Sequence, residues 1–298
     1  MRIDSHQHFW VYRPEEYPWI NRIPSSTTGV DKSSSLQNGD CNLDRDFLPR
    51  NLQPLLTAAG IDGCIAVQAR QTLQENEFLL TLAEQNDFIQ GVVGWIDLRS
   101  EEAQEQALRF ASHPKSVGVR HIVQDEAQSM FMAGEAFRRG IACLGEFELA
   151  YDILVFEHQL ADAIALVATF PDLQFVLDHI AKPKIKLGQL EPWRTFMKKL
   201  ATFENVVVKI SGVATEADHQ NWSVKQLDPY WQSVLETFTP HRILFGSDWP
   251  VLRMACSYEQ WISVVSRWLE PLSSTEQAAI WGENASRIYF PGQIKRHQ

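Results

Sequence analysis

The chain has 298 residues, of which 45% are hydrophobic and 11% aromatic, including 16 Phe and 10 Trp. That is enough apolar material for a large core, and it excludes disordered and collagen-like chains. Acidic residues outnumber basic ones 37 to 27, a net charge of −10. This balance argues against nucleic-acid binding, which needs a basic face, and against docking on anionic membrane.

The N-terminus, Met1-Arg2-Ile3-Asp4-Ser5-His6, has no apolar signal region, and no stretch reads as a membrane span. A cytoplasmic setting is expected, and the composition leaves a homo-oligomer open. The four cysteines, at 41, 64, 143 and 256, have no CxxC spacing and suggest no disulfide framework.

Taken in chain order, short β-rich runs fall at Arg2–Ser5, Gly63–Gln68, Gly91–Ile96, Val117–Ile122, Tyr151–Phe156, Gln174–His179, Val206–Ser211 and Ile243–Ser247. Helical patterns lie between them. Thr72 and Glu75 have capping-box spacing ahead of Phe78, Leu79, Leu82 and Ala83. Ser100-Glu101-Glu102 opens another helix with acids at its positive end. Leu160, Ile164 and Val167 mark a third, Trp193, Phe196, Met197 and Leu200 a fourth, and Tyr230, Val234, Leu235 and Phe238 a fifth. About eight such strand–helix units in about 300 residues predict one α/β domain over 1–298, a (β/α)8 TIM barrel. An open doubly wound sheet would show a glycine-rich turn after the first strand; His6-Gln7-His8 stands there instead. Residues 10–50 form the one long connection, after the first strand, and read as a lid or mobile segment.

Ionisable residues gather at the predicted strand ends, where a barrel builds its active site. His6 and His8, two apart on extended chain, point to one side and can converge on one ion or one substrate oxygen. Asp248, after the eighth strand, should sit beside them across the closed seam. His179 ends the sixth strand; Asp178 alternates with it and should face the helices. Arg120 and His121 are adjacent, so one points inward, and Arg120 is favoured. His158 either completes a metal site or starts a helix, and Lys209 is either a satisfied strand-end lysine or a substrate contact. His113, His219, His241 and His297 read as surface. Trp10, Trp19 and Trp249 are placed near the mouth.

Several segments together resemble a known family. Asp4-Ser5-His6-Gln7-His8-Phe9-Trp10 resembles the opening of the sugar-acid lactonases of the amidohydrolase superfamily. The likeness continues through Val92–Leu98, Gly118-Val119-Arg120-His121, Val176–Pro183, Val208–Gly212, Phe245–Val251 and Gly282–Ala285. The resemblance implies a distorted (β/α)8 barrel that hydrolyses carboxylic ester or lactone bonds, with His6, His8, His179 and Asp248 in the active site and Arg120 as a substrate contact. It implies one divalent metal, zinc or manganese, in some relatives and none in others. No counterpart of the superfamily's bridging lysine follows the fourth strand, which argues against a two-metal site. The segment Ile23–Cys41 departs from the shorter stretch expected of the family.

The expected reaction opens a sugar lactone to its aldonate, with Asp248 as general base, His6 and His8 on the metal or the carbonyl oxygen, His179 orienting the water or the ring oxygen, and Trp10 and Trp249 offering apolar faces to the sugar. Competing readings are a zinc decarboxylase that uses His158, a hydrolase of anionic lactones that uses Lys209 or Lys182, and a degenerate sugar-acid binding barrel.

Overall fold

A computed structural model describes residues 1–20, 42–128 and 130–291. The expectations for Ile23–Cys41 and His297 fall outside these residues. Eight parallel strands follow one another in chain order: β1 Ile3–Gln7, β2 Gly63–Val67, β3 Ile89–Gly94, β4 Ser116–Ile122, β5 Ala150–Leu154, β6 Phe175–Leu177, β7 Val206–Lys209 and β8 Ile243–Leu244. The seam between β8 and β1 is joined by Ser5 N to Phe245 O at 3.0 Å, Asp248 N to His6 O at 2.8 Å and His8 N to Trp249 O at 2.7 Å. The expected TIM barrel is therefore present, closed beyond the short β8 by the segment that carries Asp248.

Helices alternate with the strands: α1 Pro49–Ala59, α2 Leu73–Gln85, α3 Ala103–Ala111, α4 Glu135–Leu144, α5 Leu160–Thr169, α6 Trp193–Leu200, α7 Val224–Phe238 and α8 Tyr258–Leu269. The Thr72 hydroxyl accepts from Glu75 N and caps α2 as its sequence predicts. The Glu75 side chain does not complete a capping box; it is buried and holds Ala69 N and the Arg70 guanidinium. Two short helices, α9 Ser274–Ala278 and α10 Asn284–Tyr289, follow. No helix among the described residues is long and apolar enough to cross a membrane.

The barrel interior is layered. Its floor is apolar: Ile3, Ile65, Val67, Val93, Val176, Val207 and Leu244 pack with Ala285, Ile288 and Tyr289 of α10. Above the floor lies a charged layer, and above that the mouth. The first and last parts of the long β1–α1 connection are fixed to each other. Trp10 and Phe47 exchange backbone bonds of 2.8 and 2.9 Å, and the Trp10 ring packs on Tyr17, Trp19 and Phe47.

Candidate active site

Strand parity decides which side chains enter the barrel. On β5, β6 and β7 the floor residues Ala150, Val176 and Val207 are followed two positions later by Asp152, Asp178 and Lys209. A period of two puts these three inside as well. All three are fully buried, with Lys209 Nζ paired to Asp152 Oδ2 and lying 3.1 Å from Asp178 Oδ1. The Tyr289 hydroxyl donates to Asp152 from below, and Arg120 Nη1 donates to Asp178 Oδ2 at 3.0 Å. Burial raises Asp152 to about 6 despite Lys209. Burial also opposes ionisation of Asp178, but Lys209, His6 and Arg120 overcome it and hold that carboxyl well below the usual range.

On this layer stand the imidazoles. His6 Nδ1 is 3.2 Å from Asp178 Oδ1, and His8 Nδ1 donates to Val67 O at 2.7 Å. Their Nε2 atoms are 3.3 Å apart, and His8 Nε2 is 3.3 Å from Asp248 Oδ1. His179 Nδ1 bonds the Ser211 hydroxyl at 2.9 Å, and its Nε2 is 4.0 Å from Asp248 Oδ1. Burial lowers His179 to about 4 and lowers His6 well below its ordinary value, so both are neutral at pH 7. Burial alone would raise Asp248, but His179, His8 and His6 pull its carboxyl well below the usual range. Asp4 ties this corner together by accepting from Ser247 N at 2.9 Å, Tyr258 Oη at 3.1 Å and His6 N at 3.2 Å.

The donor atoms fit a divalent cation. With Nδ1 donating to Val67 O, His8 turns Nε2 toward both His6 Nε2 and the Asp248 carboxylate, three donor atoms facing one space that suits a positive centre. The His6–His8 and His8–Asp248 donor pairs are each 3.3 Å apart, close to what zinc bonds of about 2.0–2.1 Å impose, while His6 Nε2 and His179 Nε2 stand wider, 3.9 and 4.0 Å from Asp248 Oδ1. His6, His179 and Asp248 also present donor atoms that all lie within 4.8 Å of one another.

A family model described as Amidohydrolase matches residues 3–290. The chain belongs to the amidohydrolase family. It is 40% identical over 300 residues to an L-fucono-1,5-lactonase of Burkholderia multivorans, covering 97% of this chain and 96% of that one. It is 33% identical to an L-fucono-1,5-lactonase of Burkholderia ambifaria, covering 97% and 95%. Among solved structures, an amidohydrolase from Burkholderia multivorans with bound zinc is 40% identical, with a TM-score of 0.86 over 97% of this chain and 99% of that one.

In this amidohydrolase the fold brings His6, His8, His179 and Asp248 together at the barrel mouth. Other expectations are corrected. Asp178 faces the barrel centre, because β6 ends at Leu177 and parity follows Val176. His179 nevertheless reaches the site because the chain turns left-handed there, with φ at 52° for His179 and 48° for Ile180. Such a conformation costs about 1–2 kcal/mol per residue, and the surrounding packing must supply it. Gly212 makes room for the turn: its own φ is +65°, and a Cβ there would lie 2.7 Å from His179 Nδ1.

His158 is exposed and stacks on Phe156, so it does not join the group of His6, His179 and Asp248. Lys209 is enclosed by Asp152 and Asp178 beneath the imidazoles and does not reach a substrate. Arg120 points inward as favoured, and His121 packs outward against Phe131 and Phe137. The Arg120 guanidinium, however, is engaged by Asp178, Gln68 and His6. Trp10 and Trp249 are at most 1% exposed; Trp10 anchors the connection and Trp249 packs on Phe9 and Phe47, so neither offers a face to a sugar. Sequence reasoning assigned no role to Asp152 or Asp4, though an acid inside the apolar run Ala150–Leu154 marks a buried charge in need of a partner.

Proposed function

We propose that this amidohydrolase opens an aldonolactone to its aldonate by attack of water on the carbonyl. The observation that carries the reading is the His6, His8, His179 and Asp248 cluster at the barrel mouth, in a chain 40% identical over nearly its full length to an L-fucono-1,5-lactonase. His6, His8, His179 and Asp248 would hold a divalent ion, which when bound lowers the pKa of water and polarises a carbonyl.

The chain's own residues account for the proton transfers. Asp248 stays ionised at neutral pH and accepts a proton from the attacking water. The same carboxyl then returns the proton to the departing ring oxygen as the acyl C–O bond breaks. His179, neutral and fixed by Ser211, presents Nε2 toward the same space, as a ligand when the ion is bound and toward the water when it is not. Asp178 accepts from His6 Nδ1, which leaves Nε2 as the lone pair facing the site and fixes the ring. Arg120 and Lys209 neutralise Asp178 from below.

A panel of aldonolactones followed by proton release tests the reading. Six-carbon and 6-deoxy six-carbon lactones should be turned over well above aromatic esters and amides. An activity dominated by carbon dioxide release from an aromatic acid would replace it with the decarboxylase reading. Elemental analysis of protein purified without a polyhistidine tag should find close to one zinc or manganese per chain. Metal-free protein with full lactonase activity would remove the metal from the mechanism.

A further inference from the structure

His179, Ile180, Ala181 and Lys182 all have positive φ, at 52, 48, 58 and 48°. The run is closed by a bond from Lys182 N to His179 O at 2.9 Å, a three-residue turn in which side chains three apart lie one above the other. The left-handed turn that delivers His179 thus brings Lys182 to the same side of the mouth. The Lys182 ammonium stands 4.0 Å from Glu216 Oε1 and 5.6 Å from the centre of the Phe156 ring. Glu216 ends the Ala214–Glu216 turn that follows β7 and Gly212.

Both side chains are mostly covered, at 19% and 23% exposure. Among the described residues, neither the ammonium nor the carboxylate makes a hydrogen bond. Both lie within electrostatic reach of the reacting groups: Lys182 is one of the charges acting on His179, and Asp248 adds to the rise that burial causes in Glu216. The mechanism above uses neither.

Each charge keeps about a fifth of its surface open and has no hydrogen bond among the described residues, so each can take an oxygen from the mouth. A gap of 4.0 Å is too long for a direct bond, yet one oxygen at about 2.8 Å from each group spans it. A hydroxyl meets both demands, because it accepts from an ammonium and donates to a carboxylate. A second carboxylate would be repelled by Glu216, and an unsubstituted ring would leave both charges unbonded. We propose that Lys182 and Glu216 form a clamp that grips a hydroxyl of the substrate and selects neutral, hydroxylated lactones. The proposal rests on the aldonolactone reading and names how that site recognises its substrate.

The test compares Lys182→Met and Glu216→Gln with wild type on a six-carbon aldonolactone and on δ-valerolactone, which has the ester but no hydroxyl. Calorimetric binding of the corresponding aldonate and of 5-hydroxypentanoate is measured alongside. Each variant should lose about 10- to 100-fold in kcat/KM on the aldonolactone, the scale of one hydrogen bond to a charged group, and less than about twofold on δ-valerolactone. Aldonate binding should weaken in parallel while 5-hydroxypentanoate binding stays unchanged. Equal losses on both lactones, or none on the aldonolactone, would overturn the clamp and leave the lactonase reading intact. A wild-type protein that hydrolyses no lactone would overturn that reading instead, and the binding series would then decide the clamp: weaker aldonate binding in the variants supports it, and absence of aldonate binding by wild type overturns it.

Discussion

Replacing Asp248 with Asn should lower kcat on the aldonolactone by at least about a hundredfold, within the usual range for loss of a general base. The amide keeps the shape of the side chain and removes the proton acceptor. The backbone should tolerate the change, because Asp248 has φ at 61° and Asn is among the few residues that adopt this region readily. The seam bond from residue 248 N to His6 O is a main-chain bond and survives the substitution. An unchanged circular dichroism spectrum with the rate loss is the expected pair of results. A variant that keeps more than a tenth of wild-type kcat would show that Asp248 is not the base and would move the role to His179.

The second large effect is on stability. Lys209 lies fully buried between Asp152 and Asp178. Lys209→Met fills much of the same volume but leaves two carboxylates facing each other in a dry layer. Breaking a buried pair by removing one partner costs about 3–5 kcal/mol. The pH dependence gives a signature that simple packing damage lacks. Asp152 is already raised to about 6 by burial, and loss of the ammonium raises it further. Its folded pKa then lies above its unfolded value near 4, so the folded state binds the extra proton and stability falls as pH rises through the folded pKa. Denaturant unfolding of Lys209→Met at pH 8 and pH 5 should show a deficit that shrinks at the lower pH. A deficit equal at both, or below about 1 kcal/mol on the scale of that broken pair, would mean that the layer does not hold its charges as described.

Asp178 joins the two expectations. It is shared by Lys209, Arg120 and His6, so the charged layer that stabilises the barrel also sets the imidazole directly beneath the chemistry. The site therefore stands on a rigid, charge-balanced platform, and the rotamers of His6 and His8 are fixed through their Nδ1 partners, Asp178 and Val67 O.

The sequence by itself determined the barrel, the meeting of His6 and His8, and the approach of Asp248 to them. Each follows from a local period or from chain order: strand–helix alternation predicts the parallel barrel, a spacing of two puts both imidazoles on one side, and closure sets the last strand beside the first. Tertiary structure decided what depends on where a strand stops and on what packs against a side chain. Parity counted back from His179 turned Asp178 outward, because nothing local says that β6 ends at Leu177 and that the next residues turn left-handed against Gly212. Trp10 looks like a sugar platform until Tyr17 and Phe47 close over it, and His158 looks like a ligand until its ring is found on Phe156. Lys209 reads as an ordinary strand-end lysine because Asp152 and Asp178, 57 and 31 positions earlier in the chain, reach it only through strand order. Burial and charge pairing are sums over distant segments, and the fold alone brings those segments together.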